Sequence, residues 1–284
     1  MLYRPCPRTP GWGGYVGTDI QGNHEYDFAS ALAVQADGKI LVGGLTRGIG
    51  GPPTNAFALV RYKPSGQLDR SFGRRGVVIT KVSSTQSDAI YGLAVQPDGK
   101  IIGAGSSGAD IALARYDESG ELDTSFGMEG IVTTRIGTRL SQANAVAVQP
   151  DGKIVVCGTT SYPDPNFMVA RYNADGSLDS TFGEGGVALS HLGGRSNEAN
   201  ALILQENGRI LLAGTKDFAK LALVRYTTQG TLDQSFGTGG IVFTKISWST
   251  VANGIALQSS GRIVVGGSCG GAGGRDVVLV GYLP

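Results

Sequence analysis

Residues 145–190, AVAVQPDGKIVVCGTTSYPDPNFMVARYNADGSLDSTFGEGGVALS, decide the fold, because the chain contains nearly the same unit almost five times. The opening apolar segment and its turn recur as ALAVQADGKILVGG from Ala31, GLAVQPDGKIIGAG from Gly92, ALILQENGRILLAG from Ala201 and GIALQSSGRIVVGG from Gly254. Short Val/Ile/Leu runs on either side of Asp-Gly, Asn-Gly or Ser-Gly predict β-hairpins, since these pairs enter left-handed turn conformations at little steric cost. Gln35, Gln96, Gln149, Gln205 and Gln258 close the first strand of each copy.

A third strand follows as FALVRY, IALARY, FMVARY, LALVRY and VVLVGY, ending at Tyr62, Tyr116, Tyr172, Tyr226 and Tyr282. Its alternation of larger and smaller apolar groups predicts a sheet packed on both faces. The loops SGQLDRSFGRRG, SGELDTSFGMEG, DGSLDSTFGEGG and QGTLDQSFGTGG then lead to a fourth strand, such as VVIT at Val77 and IVFT at Ile241. A period of about fifty-five residues made of four short strands has the size of a propeller blade; a β-helix uses shorter rungs and a sandwich needs no repeat.

The fifth copy runs only to its third strand, while Gly14-Tyr15-Val16-Gly17-Thr18 aligns with the fourth strands Gly76 to Thr80, Gly130 to Thr134, Gly186 to Ser190 and Gly240 to Thr244. Joining the first and last segments in one sheet would remove two exposed edges. The expected fold is therefore all-β, a five-bladed β-propeller of four-stranded antiparallel blades, its ring closed by the N-terminal strand completing the C-terminal blade. Residues 1–284 form one domain in this reading. Residues 1–26 hold the closing strand, and the repeats cover about 27–86, 87–140, 141–196, 197–249 and 250–284.

The DGKI turn, the ARY strand end and the GxLDxSFGxxG loop closely resemble the delta-60 repeat family of β-propeller proteins. The resemblance spans nearly the whole chain and implies blades of this kind, but it carries over no catalytic residue. Two departures, Glu206-Asn207-Gly208-Arg209 and Gly281 in place of the arginine before Tyr282, leave the fold expectation intact.

Composition narrows the function classes. A formal charge of +1 offers no broad field for nucleic acid or an anionic membrane, so neither is an expected partner. Cys6, Cys157 and Cys269 lack the spacing of a disulfide framework or zinc site, and a reducing compartment fits them. The opening MLYRPCPRTPGWGGYV has no apolar signal core, and no later run reaches the length of a membrane span. The expectation is a soluble, cytoplasmic monomer. His24 and His191 are too few for a multi-histidine metal centre, glycine pairs such as Gly43-Gly44 are no phosphate loop, and no cofactor is implied.

Most conspicuous residues read as parts of the repeat. Arg61, Arg115, Arg171 and Arg225 each precede Asp69, Asp123, Asp179 and Asp233 by the same spacing, which predicts an ion pair pinning the long loop. Phe72, Phe126, Phe182 and Phe236 are expected to plug the core beneath each sheet. Asn173 to Asp179 superficially suits a calcium loop, but its siblings Lys63-Pro64-Ser65-Gly66 and Thr227-Thr228-Gln229-Gly230 lack the carboxylates.

Function is better sought where the copies diverge, in the loops between second and third strands and those leading to the next blade. These place His24, Glu25, Tyr26, Tyr91, Arg139, Tyr162, His191, Arg195, Glu198, Lys216, Asp217 and Trp248 around one expected mouth. Ser30, Tyr91, Asn144, Asn200 and Asn253 occupy equivalent positions on the innermost strands; with Trp248 they are the candidate ligand-binding set. The favoured reading is a non-catalytic module that binds a small molecule, glycan or protein at this face. The alternative is a hydrolase, lyase or cyclase, with His24 or Glu25 as base and Tyr91, Tyr162 or Arg195 as acid or anion stabiliser.

Overall fold

The structure, a computed structural model, describes residues 16–21, 26–48, 54–161, 164–271 and 274–283. Among these there are nineteen strands and no helix. They form five antiparallel sheets, as the repeat predicts. The first runs β1 (Asp27–Val34), β2 (Ile40–Arg47), β3 (Asn55–Tyr62), β4 (Val77–Thr80), and the second β5 (Asp88–Val95), β6 (Ile101–Ser107), β7 (Asp110–Tyr116), β8 (Ile131–Thr134). The third comprises β9 (Ser141–Val148), β10 (Ile154–Thr160), β11 (Asn166–Tyr172) and β12 (Val187–Ser190). The fourth comprises β13 (Asn197–Leu204), β14 (Ile210–Lys216), β15 (Lys220–Tyr226) and β16 (Ile241–Lys245). The fifth holds three strands, β17 (Ser249–Leu257), β18 (Ile263–Gly271) and β19 (Gly274–Tyr282). This is an all-β propeller architecture.

The expected closing strand is not part of any sheet among the described residues. Gly14 and Tyr15 lie outside them, and Val16, Gly17 and Thr18 are described without strand structure.

The chain divides into two compact units, residues 1–108 with 112–131 and residues 109–111 with 132–284. In the first, Leu41, Phe57, Leu59 and Phe72 pack on Ile90, Ile101, Ala112, Ala114 and Tyr116, so one face of the first sheet is buried on the second. In the second unit, Val155, Phe167, Val169 and Phe182 meet Ile210, Leu212, Ala222 and Val224, while Leu211, Leu221, Leu223 and Phe236 meet Ala252, Ile263 and Val265. The large-and-small alternation of the third strand is what lets the fourth sheet interlock with the third on one face and the fifth on the other.

Polar contacts repeat at the same junctions. Within the first unit Gly73 N donates to Ser119 O (2.7 Å), Arg61 Nη1 donates to Glu118 O (2.5 Å), and Tyr116 Oη bonds Thr80 Oγ1 (2.8 Å). The second unit matches this with Gly183 N to Gln229 O (2.8 Å), Arg171 Nη1 to Thr228 O (2.7 Å) and Tyr226 Oη to Ser190 Oγ (2.5 Å). Tyr172 Oη with Thr134 Oγ1 (2.9 Å) and Tyr282 Oη with Thr244 Oγ1 (2.8 Å) continue the pattern. Each tyrosine that ends a third strand thus bonds the hydroxyl that ends the preceding copy's fourth strand. Tyr62 follows suit: its hydroxyl bonds Thr18 Oγ1 at 2.6 Å.

Every first strand carries a β-bulge. The register skips Ser30, Tyr91, Asn144, Asn200 and Asn253, the five positions singled out in the sequence. Opposite each bulge stands a glycine, and at Gly158 an added Cβ would lie 1.9 Å from the Gln142 carbonyl oxygen. That oxygen belongs to the backbone of the paired strand, so no rotamer change relieves the clash. Gly158→Ala is expected to destabilise the protein by about 1–3 kcal/mol, as overpacking does. A denaturation midpoint unchanged from the parent would refute the close approach of β9 and β10.

Candidate functional site

In the first four sheets the end nearest the hairpin turn is occupied by one repeated cluster. Arg171 Nε donates to Asp179 Oδ2 at 2.7 Å, and the turn lysine Lys153 adds a second cation to the same oxygen at 2.7 Å. Asp179 Oδ1 accepts from Thr181 N (3.1 Å) and Oγ1 (2.6 Å), and Arg171 Cζ lies 4.6 Å from the centroid of the Phe182 ring. Asp69, Asp123 and Asp233 repeat this with Arg61, Arg115 and Arg225 at 2.8–2.9 Å, and Phe72, Phe126 and Phe236 lie beneath the guanidinium groups. The predicted ion pairs and buried rings are therefore present. The third member, supplied by Lys39, Lys100, Lys153 or Arg209, went unnoticed in the sequence although the DGK spacing carried it.

Electrostatics follow from the geometry. Desolvation is the largest effect on Asp179 and opposes ionisation; hydrogen bonds from Lys153 and Thr181 and the charge of Arg171 outweigh it and hold the carboxyl well below its usual range. For Asp123 the hydrogen bond from Ser125 leads, followed by that from Lys100. Burial pushes the Tyr116, Tyr172 and Tyr226 hydroxyls and the Cys157 thiol up, leaving them protonated at neutral pH. Asp88, fully buried, accepts from Val82 N (3.0 Å), Ser83 N (3.3 Å) and Ser107 Oγ (2.6 Å), pinning the segment that enters β5. All these groups serve the repeat, and no cluster of His, Cys, Asp and Glu able to hold a metal occurs among the described residues.

The bulge residues divide by chemistry. Asn144 Nδ2 donates to Ala199 O (2.9 Å) and Asn200 Nδ2 donates to Ala252 O (2.8 Å), so two of the amides staple one first strand to the next. Tyr91 is half-buried, and Ser30 and Asn253 are exposed. Of the proposed acid and base residues, His24, Glu25 and Tyr162 lie outside the described residues. Arg195 is exposed, and its backbone N donates to Asp217 Oδ1 at 2.6 Å.

Two features of the opposite, variable end stand out. In the first unit a shallow cavity of about 360 Å³ is lined by Tyr26, Phe28, Leu45, Arg47 and Asn55. Tyr26 and Phe28 are stacked with centroids 6.4 Å apart, and the Arg47 guanidinium sits 5.7 Å from the Tyr26 centroid. In the second unit, β14, β15 and β16 bring Lys216, Lys220 and Lys245 into one row across the sheet, with Phe243 and Trp248 beside them. Of these residues the sequence reading had named Tyr26, Lys216 and Trp248. Phe28, Arg47 and Lys220 lie in the variable segments at the ends of β1, β2 and β15, and Phe243 and Lys245 lie within β16, where no variable loop points to them.

The sheets and their repeated contacts together define an all-β propeller architecture. Residues 35–72, 96–126, 149–182 and 205–236 match a family described as "Domain of unknown function (DUF5122) beta-propeller". Comparison with curated proteins found no match. Among solved structures, the chain is similar to a protein of unknown function from Bacteroides caccae, with 11% identity, a TM-score of 0.49, and coverage of 84% of this chain and 69% of that one. It is also similar to a GH43_1 enzyme from Xanthomonas citri complexed with xylose, at 12% identity and a TM-score of 0.41 over 91% of this chain and 87% of that one. A putative gluconolactonase shares 16% identity at a TM-score of 0.40, covering 80% of this chain and 72% of that one. At such identities and scores, none of them bears on what this chain binds.

Proposed function

We propose that this protein is a non-catalytic binding module that recognises a small molecule, glycan or protein through the variable loop end of its blades and the mouth of a central channel. The repeats are read as delta-60 repeats, and the scaffold as a closed five-bladed ring in which residues 14–18 complete the fifth blade. One observation carries the binding reading: the two ends of the sheets differ in how their side chains are used. At the turn end the ionisable groups are satisfied by one another. At the loop end Tyr26, Phe28, Phe218 and Trp248 are all more than half exposed, alongside cations. Large aromatic groups left in water at one end of a rigid scaffold, with a few polar groups between them, are the makeup of a recognition surface.

Ring closure is supported by the Thr18 to Tyr62 hydrogen bond, which reproduces the contact that a preceding blade's fourth strand makes in every other copy. Val16 supports it too: it lies where a Cβ on Gly66 would meet it at 3.5 Å, as Val78 lies against Gly120 in the second sheet.

A thermal-shift screen of small metabolites and neutral and charged oligosaccharides, repeated on Tyr91→Phe, tests the binding reading. Expected is a rise in melting temperature with at least one compound, lost in a variant whose unliganded melting temperature is unchanged. Turnover of a shifting compound, followed by chromatography, would overturn the non-catalytic reading in favour of the hydrolase, lyase or cyclase alternative.

A further inference from the structure

The row of lysines on the fourth sheet has no structural explanation. Lys216 pairs with Lys220 across β14 and β15, and Lys220 pairs with Lys245 across β15 and β16. Like charges directly opposite one another in a sheet are destabilising. Lys216 is compensated, since its Nζ lies 2.8 Å from Asp217 Oδ2 and donates to Gly193 O. Among the described residues Lys220 and Lys245 have no acidic partner. Each instead faces an aromatic ring, Lys220 at 5.9 Å from the Phe243 centroid and Lys245 at 5.7 Å from that of Trp248.

The turn beside them carries a second cost. Asp217 and Phe218 both adopt left-handed backbone, with φ of 51° and 56°. A bulky residue at positive φ is strained, and such strain gathers at working sites. The strain here holds the Phe218 ring 58% exposed, and Thr250 N, donating to Phe218 O at 2.8 Å, fixes the turn against the start of β17. Trp248, two residues earlier, is 86% exposed. Uncompensated cations, a strained aromatic and a bare indole thus occupy one corner.

We infer that this corner of the fourth blade binds an acidic glycan, a chain of uronate sugars. Two ammonium groups on adjacent strands, about 5 Å apart at the backbone, suit carboxylates displayed along such a chain. The C–H face of a pyranose ring packs on the electron-rich faces of Trp248 and Phe218. Single-stranded nucleic acid fits less well, because its affinity comes from many phosphate contacts and only two uncompensated lysines are present here. The inference rests on the binding reading above and narrows its ligand class.

The test is calorimetric titration of the full chain with oligogalacturonate, maltohexaose and oligo(dT). Oligogalacturonate is expected to bind and maltohexaose not to. The double variant Lys220→Gln with Lys245→Gln, and separately Trp248→Ala, should each weaken binding at least tenfold. The double variant should also melt no lower than the parent, because removing repulsion does not harm the fold; a merely structural role would lower it. Unchanged affinity in both variants, no binding of oligogalacturonate, or equally tight binding of oligo(dT) would each overturn the inference. If oligogalacturonate fails while the metabolite screen yields a ligand sensitive to Tyr91→Phe, the binding reading stands and only the glycan is lost.

Discussion

Asp179→Ala is expected to lower the stability of the protein by about 3–5 kcal/mol, the cost of breaking a buried ion pair from one side. Arg171 is 8% exposed and Asp179 3% exposed, so neither is free to turn to water. Removing the carboxylate leaves the guanidinium with the Thr228 carbonyl and the Phe182 ring but without a counter-charge, and strips Lys153 of its partner as well. It also frees Thr181, whose backbone and hydroxyl both donate to Asp179, so the LDSTFG loop loses its anchor. A urea denaturation curve with an unchanged midpoint would show that the cluster contributes nothing.

The same cluster sets a pH dependence of known sign. A carboxyl held below its usual value in the folded state stabilises fully above the unfolded value, near 3.8, and that stability is lost as pH falls through the folded value. Asp69, Asp123 and Asp233 are shifted in the same direction. Stability should therefore be flat in these groups near neutrality and fall progressively below about pH 4, where the unfolded carboxylates begin to bind protons. Asp179→Asn keeps the shape but removes one titrating group, so its stability curve should be displaced downward at pH 7 and converge on the parent in acid. Parallel curves would mean that Asp179 does not couple folding to protonation.

How much of this was legible in the sequence depends on whether a feature is periodic. The hairpins, the third strands and the Arg to Asp spacing recur in copy after copy, so coincidence is a poor account of any of them. The bulges recur too, yet a serine, a tyrosine and three asparagines occupy them, at Ser30, Tyr91, Asn144, Asn200 and Asn253. Their polarity points to a common lining; the bulge they share is a backbone feature that the side chains do not announce, and the amides of Asn144 and Asn200 reach the neighbouring strand. The lysine row was hidden for the opposite reason. It occurs once, and its members Lys216, Lys220 and Lys245 become neighbours only through sheet register. A single copy's departure from the repeat carries no periodic signal, and charge at strand ends reads as ordinary solvation until the pairing is known.

Leu279→Asp is the substitution on which ring closure turns. Leu279 is 75% exposed and Val277 93% exposed, while the residues at the same third-strand positions elsewhere, Leu59 and Phe57, Val169 and Phe167, Leu223 and Leu221, are buried. In the first unit, Leu32 and Val34 are 64% and 61% exposed, whereas Leu93 and Val95 at the same places pack against a core. In the closed ring proposed above, the surfaces left bare on β19 and β1 would form a further junction of the kind seen between the first and second, third and fourth, and fourth and fifth sheets. If residues 14–18 pair with β19 and these faces meet, Leu279 is a core residue, and aspartate there should cost at least the roughly 2–5 kcal/mol of deleting a buried leucine. Were the faces to stay open to water, the change would fall within about 0.5 kcal/mol, as at an ordinary surface site. Met128→Asp, at a position 80% exposed in a loop, supplies the neutral control. Sedimentation separates the remaining possibility, because a parent that self-associates and a variant that does not would mean that the faces pair between copies of the chain instead.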